Sequence, residues 1–162
     1  MITLTKAAIS DCEEIYKIRF DAFSPLLEKY QDYDTNPANR PIEHIIYNMQ
    51  NIAFDFYFIK LNEKNIGYIR IKKLDENRCE LSQIAILREY QGNGYAQEAV
   101  RQVEIIYPNV KIWELDTIKQ EDKLRYLYEK IGYKLTGKEQ NINDKMDIIS
   151  YEKHICRKET LK

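Results

Sequence analysis

The chain has 162 residues, the length of one ordinary domain and enough to bury a core of its own. Hydrophobic residues make up 44% and charged residues 31% of the sequence, which is typical of a globular protein rather than a disordered one. The formal net charge of −1 argues against nucleic acid as the partner. No apolar run approaches the roughly 18 residues that cross a bilayer, so we expect no membrane association. The N-terminus lacks the apolar centre of a secretory signal, and the 3 cysteines form no CxxC pair, so we expect a cytoplasmic protein with reduced thiols.

The first half of the chain predicts a strand, two or three helices and an antiparallel meander. Residues 2–7 alternate as a strand would, and Ser10 followed by Glu13 forms a capping box that should begin a helix. That helix should end near Phe23, because Pro25 disfavours helical geometry at the residue before it and can itself open a new turn. The other predicted segments are a helix over 41–49 and strands over 54–61, 66–74 and 79–87.

The second half predicts a helix, a strand, a helix and a closing hairpin. After Gly94 the apolar spacing changes from that of a buried strand to that of one helix face. Gly132 follows the last predicted helix as its C-terminal cap. The predicted segments are a helix from Gly94 to about residue 107, a strand over 110–118, a helix over 120–131 and hairpin strands over 133–138 and 147–154.

The turn between the central strand and the following helix, residues 91–96, contains two glycines. Such a turn leaves backbone N–H groups free at the positive end of a helix, which suits a phosphate or pyrophosphate. The turn lacks the Gly-Lys-Ser/Thr sequence of a Walker loop. It also differs from a dinucleotide-binding loop, because Gln97 stands where that loop needs a third small residue.

This turn resembles the central motif of the GNAT superfamily of acyl-CoA-dependent N-acyltransferases, Gln/Arg-x-x-Gly-x-Gly/Ala, here Gln91-x-x-Gly94-x-Ala96. Residues 127–133 resemble the second motif of the family, Leu-Tyr-x-Lys-x-Gly-aromatic. The order of the predicted elements is also the order of the family's fold. The resemblance therefore implies one domain over 1–162 with a mixed α/β (α+β) fold, in which about four helices flank a mixed central sheet of about six or seven strands. It implies acetyl-CoA as the cosubstrate and no metal, and the two histidines have no ligand spacing around them.

Glu80 is the candidate general base. Acyl transfer to an alkyl amine needs one, because the ammonium group has a pKa near 10.4 and must lose a proton before it attacks. In the histone-acetylase branch of the family the base stands six residues before the last aliphatic of the run, which here spans Glu80 to Ile86. The alternative is a solvated or ion-paired glutamate at the start of a strand, and many family members have no base at this place.

Tyr128 is the candidate general acid. In the second motif of the family, the tyrosine hydroxyl lies near the sulfur of the cofactor and can protonate the leaving thiolate. The alternative is an ordinary core residue, because Leu124, Tyr128 and Ile131 share one helix face and the chain contains 13 tyrosines.

The family resemblance assigns the remaining contacts to the backbone. The central strand should part from its neighbour and expose the amides of Ile84, Ala85 and Ile86 to the pantetheine arm, with the Ile86 N–H also directed at the thioester oxygen. The pyrophosphate would bind the amides of the loop, which are those of Gln91, Gly92, Asn93, Gly94, Tyr95 and Ala96. Two positions depart from the family. Arg88 replaces a proline and could offer charge to the phosphates, and Glu121 replaces an asparagine and is given no role.

The acceptor is the least determined part of the prediction. The region that builds the acceptor site in this family, residues 21–50, holds five acids against Lys29 and Arg40, a net charge of −3. This favours a cationic amine, although a solvated acidic surface is the alternative. The five acids are Asp21, Glu28, Asp32, Asp34 and Glu43.

The sequence thus predicts an acetyl-CoA-dependent N-acetyltransferase that acts by direct attack of a primary amine of a small molecule on the thioester. Two alternatives stay open, a protein or peptide N-acetyltransferase and a non-catalytic acyl-CoA-binding module. A homodimer also stays open, although the alternation of Phe54, Phe56 and Phe58 favours core positions over an interface.

Overall fold

A computed structural model describes residues 1–156, which form seven strands and four α-helices. In chain order these are β1 (Ile2–Lys6), α1 (Cys12–Tyr30), α2 (Ile42–Gln50), β2 (Phe54–Leu61), β3 (Lys64–Lys73), β4 (Arg78–Ile86), α3 (Tyr95–Ile106), β5 (Ile112–Ile118), α4 (Asp122–Lys130), β6 (Lys134–Asn143) and β7 (Met146–His154). The predicted domain over 1–162 includes residues 157–162, which lie outside the described residues.

The strands form one mixed sheet in the order β1-β2-β3-β4-β5-β7-β6. The strands from β1 to β4 are antiparallel neighbours, as are β5, β7 and β6. β4 and β5 are parallel, and α3 makes the crossover that a parallel pair requires. The predicted mixed α/β (α+β) fold is confirmed.

Helices cover both faces of the sheet, because the residues of each inner strand alternate between two apolar clusters. On β2, Tyr57 and Ile59 belong to the cluster that contains the inward residues of α3 and α4. Phe56 and Phe58 are buried in the other cluster, under α1 and α2, and Phe54 packs against it. We call these the α3/α4 face and the α1/α2 face. The predicted core positions of the three phenylalanines are confirmed.

The helix predicted to end near Phe23 continues instead through Pro25, as one helix over Cys12–Tyr30. In the turn before the proline, the Ser24 hydroxyl donates a hydrogen bond to the Phe20 carbonyl. The helix packs across β3 and β4, and this packing outweighs the local preference that proline imposes.

The start of α1 also differs from the prediction. Ser10 lies inside a 3-10 turn, Ile9–Asp11, and makes no capping hydrogen bond. The carboxylate of Asp11 accepts a hydrogen bond from the Ala8 N–H at 2.8 Å. A side chain therefore does accept a hydrogen bond from an earlier backbone N–H, as in a capping box, but it is the side chain of Asp11 and not that of Glu13.

The other predicted elements are present with small differences at their ends, and the hairpin strands β6 and β7 are longer than predicted. Gly132 follows α4 with a φ of 98°, which confirms the predicted C-terminal cap. Within residues 1–156, no helix has the length and apolarity needed to cross a bilayer.

Candidate active site

The parallel strands β4 and β5 are paired over only part of their length. Among the described residues their register has three pairs, the last of which joins Glu80 to Glu114. Beyond this pair, β4 continues to Ile86 beside β3, while β5 continues to Ile118 beside β7. The two strands therefore part, and the backbone of residues 81–86 presents an open edge toward β5. This is the parting that the family resemblance implies.

The alternation of backbone groups along β4 decides which of them face the open edge. The Leu87 N–H donates to the Ile66 carbonyl at 2.8 Å, so Ala85, two residues earlier, also directs its backbone groups toward β3. Ile84 and Ile86 then direct their N–H groups away from β3, toward the open edge. Two of the three predicted backbone contacts thus face the gap, and the Ala85 N–H faces the neighbouring strand.

The end of β4 is held from both sides. A Cβ on Gly67 would lie 2.2 Å from the Ala85 carbonyl oxygen, so glycine is what allows β3 to approach β4 so closely here. On the other side, the Ile86 carbonyl accepts a hydrogen bond from Gln91 Nε2 at 2.8 Å. These contacts fix the position of the Ile86 N–H.

The loop at residues 91–96 has the backbone geometry of an anion-binding turn. Gly92 and Gly94 have φ values of 81° and 79°, a conformation that other residues rarely adopt. At both glycines, no heavy atom of the described residues lies within 4 Å of the place where a Cβ would stand. The Asn93 side chain donates to the Tyr90 carbonyl at 3.1 Å and holds the turn from within. A ligand can therefore approach the loop backbone closely.

The predicted loop amides differ in their availability. The Gln91 N–H donates to the Arg88 carbonyl at 3.3 Å. Tyr95 and Ala96 are the first residues of α3, and their N–H groups have no acceptor within the helix. Gly94 precedes them as the N-cap and offers no side chain. The N-terminus of α3 thus presents free donors and the positive end of the helix dipole.

Arg88 contacts Asp21 of α1 through its backbone N–H and its side chain. Its backbone N–H donates to Asp21 Oδ2 at 2.9 Å, and its Nε lies 3.4 Å from Asp21 Oδ1.

A second acid of the predicted acceptor region, Asp32, is buried and accepts a hydrogen bond from the Thr35 N–H at 2.9 Å. The remaining acids are exposed, and they are Glu28, Asp34 and Glu43.

Tyr128 lies in the core on the α3/α4 face. Its ring packs edge-on against Tyr133, with 6.1 Å between the centroids, and lies 6.4 Å from the ring of Tyr151. Its hydroxyl has no hydrogen-bond partner among the described residues, and burial raises its pKa to about 12. The phenol therefore keeps its proton at neutral pH. The same core contains Ile86, at the end of the open edge.

Glu80 lies on the opposite face of the sheet, because its two sequence neighbours point into the α3/α4 core. Burial raises the pKa of its carboxyl, the charge of Asp116 adds to the rise, and Lys72 and Arg70 oppose it. No hydrogen bond, ion pair or ring contact joins Glu80 and Tyr128 in the part of the chain that the structure describes. The sheet lies between the two side chains.

The sequence did not reveal a polar cluster on the α1/α2 face. The Tyr68 hydroxyl donates to Gln83 Oε1 at 2.6 Å, and Arg70 Nε donates to Ser82 Oγ at 2.8 Å. Ser82 is the extra residue at an irregularity in the pairing of β3 with β4. Such a bulge re-aims side chains. The alternation along β3 could have placed Tyr68 and Arg70 on one face, but the bulge that brings their partners there cannot be read from spacing.

Glu121, which replaces the family's asparagine, joins the start of α4 to the end of α1. Its Oε1 accepts hydrogen bonds from Lys29 Nζ at 2.7 Å and from the Tyr30 hydroxyl at 2.5 Å. The Asn143 side chain donates to the Tyr30 carbonyl at 2.9 Å. Glu121 thus holds the end of α1 beside the start of α4, and Asn143 joins the same end of α1 to the final hairpin.

No group of three or more His, Cys, Asp or Glu side chains within residues 1–156 is placed to hold a metal ion. A surface depression of 330 Å³ lies at the far end of the sheet and is lined in part by Lys6, Asp55 and Lys73. The register of the strands places these residues beside the start of β4, away from the loop at its end.

The model of the Acetyltransferase (GNAT) family matches residues 12–133, which include the parted strands, the glycine loop and Tyr128. The chain therefore belongs to the GNAT acetyltransferase family. A comparison with curated proteins finds no match.

Solved acetyltransferase structures share the fold at low sequence identity. PaiA N-acetyltransferase from Thermoplasma acidophilum, in complex with coenzyme A, is 17% identical, with 96% of this chain and 99% of that chain covered and a TM-score of 0.73. The ribosomal-protein-S18-alanine N-acetyltransferase from Escherichia coli is 16% identical, with 100% and 99% covered and a TM-score of 0.77. A spermidine N-acetyltransferase chimera of Vibrio cholerae SpeG and hSSAT is 18% identical, with 94% and 95% covered and a TM-score of 0.73. At these identities the likeness shows the fold alone, and the acceptors named for the last two proteins differ from each other.

Proposed function

We propose that the protein is an N-acetyltransferase that moves the acetyl group of acetyl-CoA to a primary amine of a small molecule by direct attack. The observation that carries the proposal is the open edge of β4, which leads directly into the glycine loop and the N-terminus of α3. Free N–H groups along a strand edge suit the amides of a pantetheine arm, and a helix N-terminus suits a pyrophosphate. Membership in the GNAT acetyltransferase family supports the same assignment.

The residues present fit coenzyme A. Ile84 and Ile86 direct N–H groups toward the gap, and the space above Gly92 and Gly94 is open. When bound, acetyl-CoA supplies the activated acetyl thioester. The Ile86 N–H, whose position the Gln91 hydrogen bond helps to fix, is the candidate donor to the carbonyl oxygen as negative charge develops there.

Two side chains complete the proposed chemistry from opposite faces of the sheet. The Glu80 carboxylate, a stronger base because its pKa is raised, takes a proton from the ammonium group directly or through water, and the neutral amine then attacks the thioester carbon. The Tyr128 phenol, which burial keeps protonated, gives a proton to the departing thiolate. As the C–S bond breaks, the nitrogen loses a second proton and the thiolate gains one, so the ammonium form of the acceptor gives amide, free thiol and one proton that passes to solvent.

A thiol-release assay over a panel of amines tests the proposal, with Tyr128→Phe as the decisive variant. Loss of the proton donor should lower kcat by about a hundredfold, while the Kd for acetyl-CoA stays within about twofold. The matched control is Tyr126→Phe, because Tyr126 lies on the same helix and is 65% exposed. This control should keep the wild-type kcat.

Three other results would redirect the assignment. An unchanged kcat in Tyr128→Phe would make Tyr128 a core residue only. Thiol release with peptides but with no small amine would favour a protein or peptide N-acetyltransferase. Binding of acetyl-CoA without release in the presence of any amine would leave a non-catalytic acyl-CoA-binding module.

A further inference from the structure

The α1/α2 face contains two arginines without a carboxylate partner. Arg19 of α1 is 1% exposed, and its guanidinium donates to the carbonyl oxygens of Arg40 at 2.7 Å and Pro41 at 3.1 Å. Arg70 of β3 is half-buried and donates through Nε to Ser82 Oγ. Within the described part of the chain, no Asp or Glu oxygen lies within 4.0 Å of a nitrogen of either guanidinium.

Removing a cation from water is costly unless an opposite charge or a full set of hydrogen bonds replaces the water, so proteins normally pair such a group. The carbonyl oxygens around Arg19 supply hydrogen bonds but no net charge. His44 of α2 lies in the same region, and burial together with the charges of Arg70 and Arg19 lowers its pKa. The charge of Glu80 acts on Arg70 without a direct contact, so neither guanidinium has an ion-pair partner among the described residues, and an anionic ligand would supply one.

Arg70 is held in a geometry that suits such a ligand. Its Nε is fixed by Ser82, and its Cζ lies 5.1 Å from the centroid of the Phe54 ring. The two terminal nitrogens make no hydrogen bond to the described residues and are not among the fully buried donors that lack a partner. A planar guanidinium with two open donors matches the two oxygens of a carboxylate.

The position of Arg70 places the two terminal nitrogens of its guanidinium beside the proposed base. Lys72 of β3 lies opposite Glu80, and Arg70 lies two residues further along the same face, opposite Gln83 of the open edge. On the other side of β4, Glu114 of β5 lies opposite Glu80 and is ion-paired with Arg78 at 3.0 Å, and the charge of Asp116 of β5 also acts on Glu80. The face thus changes from basic on β3 to acidic on β5, with the proposed base between them. A zwitterion fits this polarity, with its carboxylate toward β3 and its amine toward β4 and the gap.

We propose that the acceptor is an amine that also bears a carboxylate, an amino acid in the general chemical sense, and that Arg70 binds this carboxylate. The inference rests on the proposed acetyl transfer and narrows its substrate. It differs from the cationic acceptor that the acids of residues 21–50 favour. Of those acids, Asp21 is paired with Arg88, Asp32 is used within its own turn and the others are exposed.

The test compares thiol release with the common amino acids, with their carboxamides and with the corresponding amines that lack the carboxyl group. Wild-type protein should use at least one amino acid with a kcat/KM about tenfold or more above that of its carboxamide. Arg70→Gln should raise the KM for that amino acid by about ten- to a hundredfold and leave the KM for the carboxamide within about twofold. Arg70→Lys keeps the positive charge but lacks the two terminal nitrogens of a guanidinium, so its KM should lie between those of wild type and Arg70→Gln.

Arg101→Gln is the matched control, because Arg101 is exposed on α3, and it should keep the wild-type preference. Equal use of amino acids and carboxamides by wild-type protein, or equal effects of Arg70→Gln on both, overturns this inference and leaves acetyl transfer standing. Absence of thiol release with every amine overturns the proposed function instead. If Arg70→Gln no longer binds acetyl-CoA, its KM is uninformative and Arg70→Lys is used in its place. A KM of Arg70→Lys for the amino acid equal to that of wild type contradicts the inference.

Discussion

Glu80 stands where the α1/α2 face changes from basic to acidic, and its surroundings act on its proton in opposite directions. Burial and the nearby carboxylate of Asp116 raise the pKa of Glu80 above its ordinary value of 4.5, and the charges of Lys72 and Arg70 limit the rise. A carboxylate with a raised pKa is a stronger base in its ionised form. The environment of Glu80 therefore suits a general base.

If Glu80 is the base, kcat/KM should rise with pH through the raised pKa of its carboxyl and then level off. The reason is that only the ionised form accepts a proton. Glu80→Gln should remove this acidic limb and lower kcat/KM by about a hundredfold, as measured by initial rates of thiol release across pH. Glu76→Gln, an exposed residue in the turn before β4, should keep the limb. If the pH profile of Glu80→Gln keeps the acidic limb, the limb reports the titration of another group.

The same pKa shift has a consequence for stability that needs no substrate. Because the folded protein holds the proton of Glu80 more tightly than the unfolded chain, the stabilisation is complete below the unfolded pKa and is lost as the pH rises through the folded pKa. Above the folded pKa, the ionised Glu80 therefore opposes folding. Urea unfolding should show a higher free energy of unfolding for Glu80→Gln than for wild type at pH 7, with the difference shrinking toward pH 4.

At the scale of elements, the junction of β4, the loop and α3 depends on backbone conformation rather than on side chains. Gly94 adopts a φ of 79°, where any other residue is strained, and the space around its missing Cβ is open. The N-terminus of α3 begins at the next residue, so a change at Gly94 moves the free N–H groups that would face a pyrophosphate.

Gly94→Ala should lower the free energy of unfolding by about 1–2 kcal/mol and weaken acetyl-CoA binding by about tenfold. Gly137→Ala is a close control, because Gly137 has a φ of 92° and equally open space but lies on β6. It should show a similar loss of stability with an unchanged Kd. Thermal unfolding and calorimetric titration measure the two effects, and equal Kd values in both variants would remove the loop from the binding site.

Much of the fold could be predicted from the sequence because each element has a strong local pattern. The strand Phe54–Leu61 was predicted with the bounds that the structure has, since its aromatic residues alternate between two cores. The helix end predicted near Phe23 was wrong because packing of α1 on the sheet decides there, and no local signal reports that packing. The glycine loop was found because its residues are contiguous.

The candidate site was less accessible to sequence reasoning because its parts depend on pairing between strands. The different directions of the Ala85 and Ile86 amides follow from the register of β3 with β4, which spacing alone does not give. The contact between Arg70 and Ser82 depends on a bulge at Ser82. Residues that meet through register and bulges are separated in sequence and carry no motif of their own.

At the scale of the whole molecule, the sheet divides the proposed reaction between two faces. Tyr128 lies in the α3/α4 core, Glu80 lies on the α1/α2 face, and the gap between β4 and β5 joins the two sides. The seven-stranded sheet is continuous on either side of this gap, which keeps the two halves in a fixed relation. The account therefore assigns the cosubstrate to the gap and the acceptor to the α1/α2 face.

Calorimetric titration of the protein with acetyl-CoA, with ATP and NAD as controls, tests whether the open strand edge and the glycine loop bind the cosubstrate. We expect saturable binding of acetyl-CoA and no comparable binding of ATP or NAD, since the open strand edge matches a pantetheine arm that both controls lack. Failure to bind acetyl-CoA or any longer acyl-CoA would contradict this expectation and would make the loop at residues 91–96 only a turn.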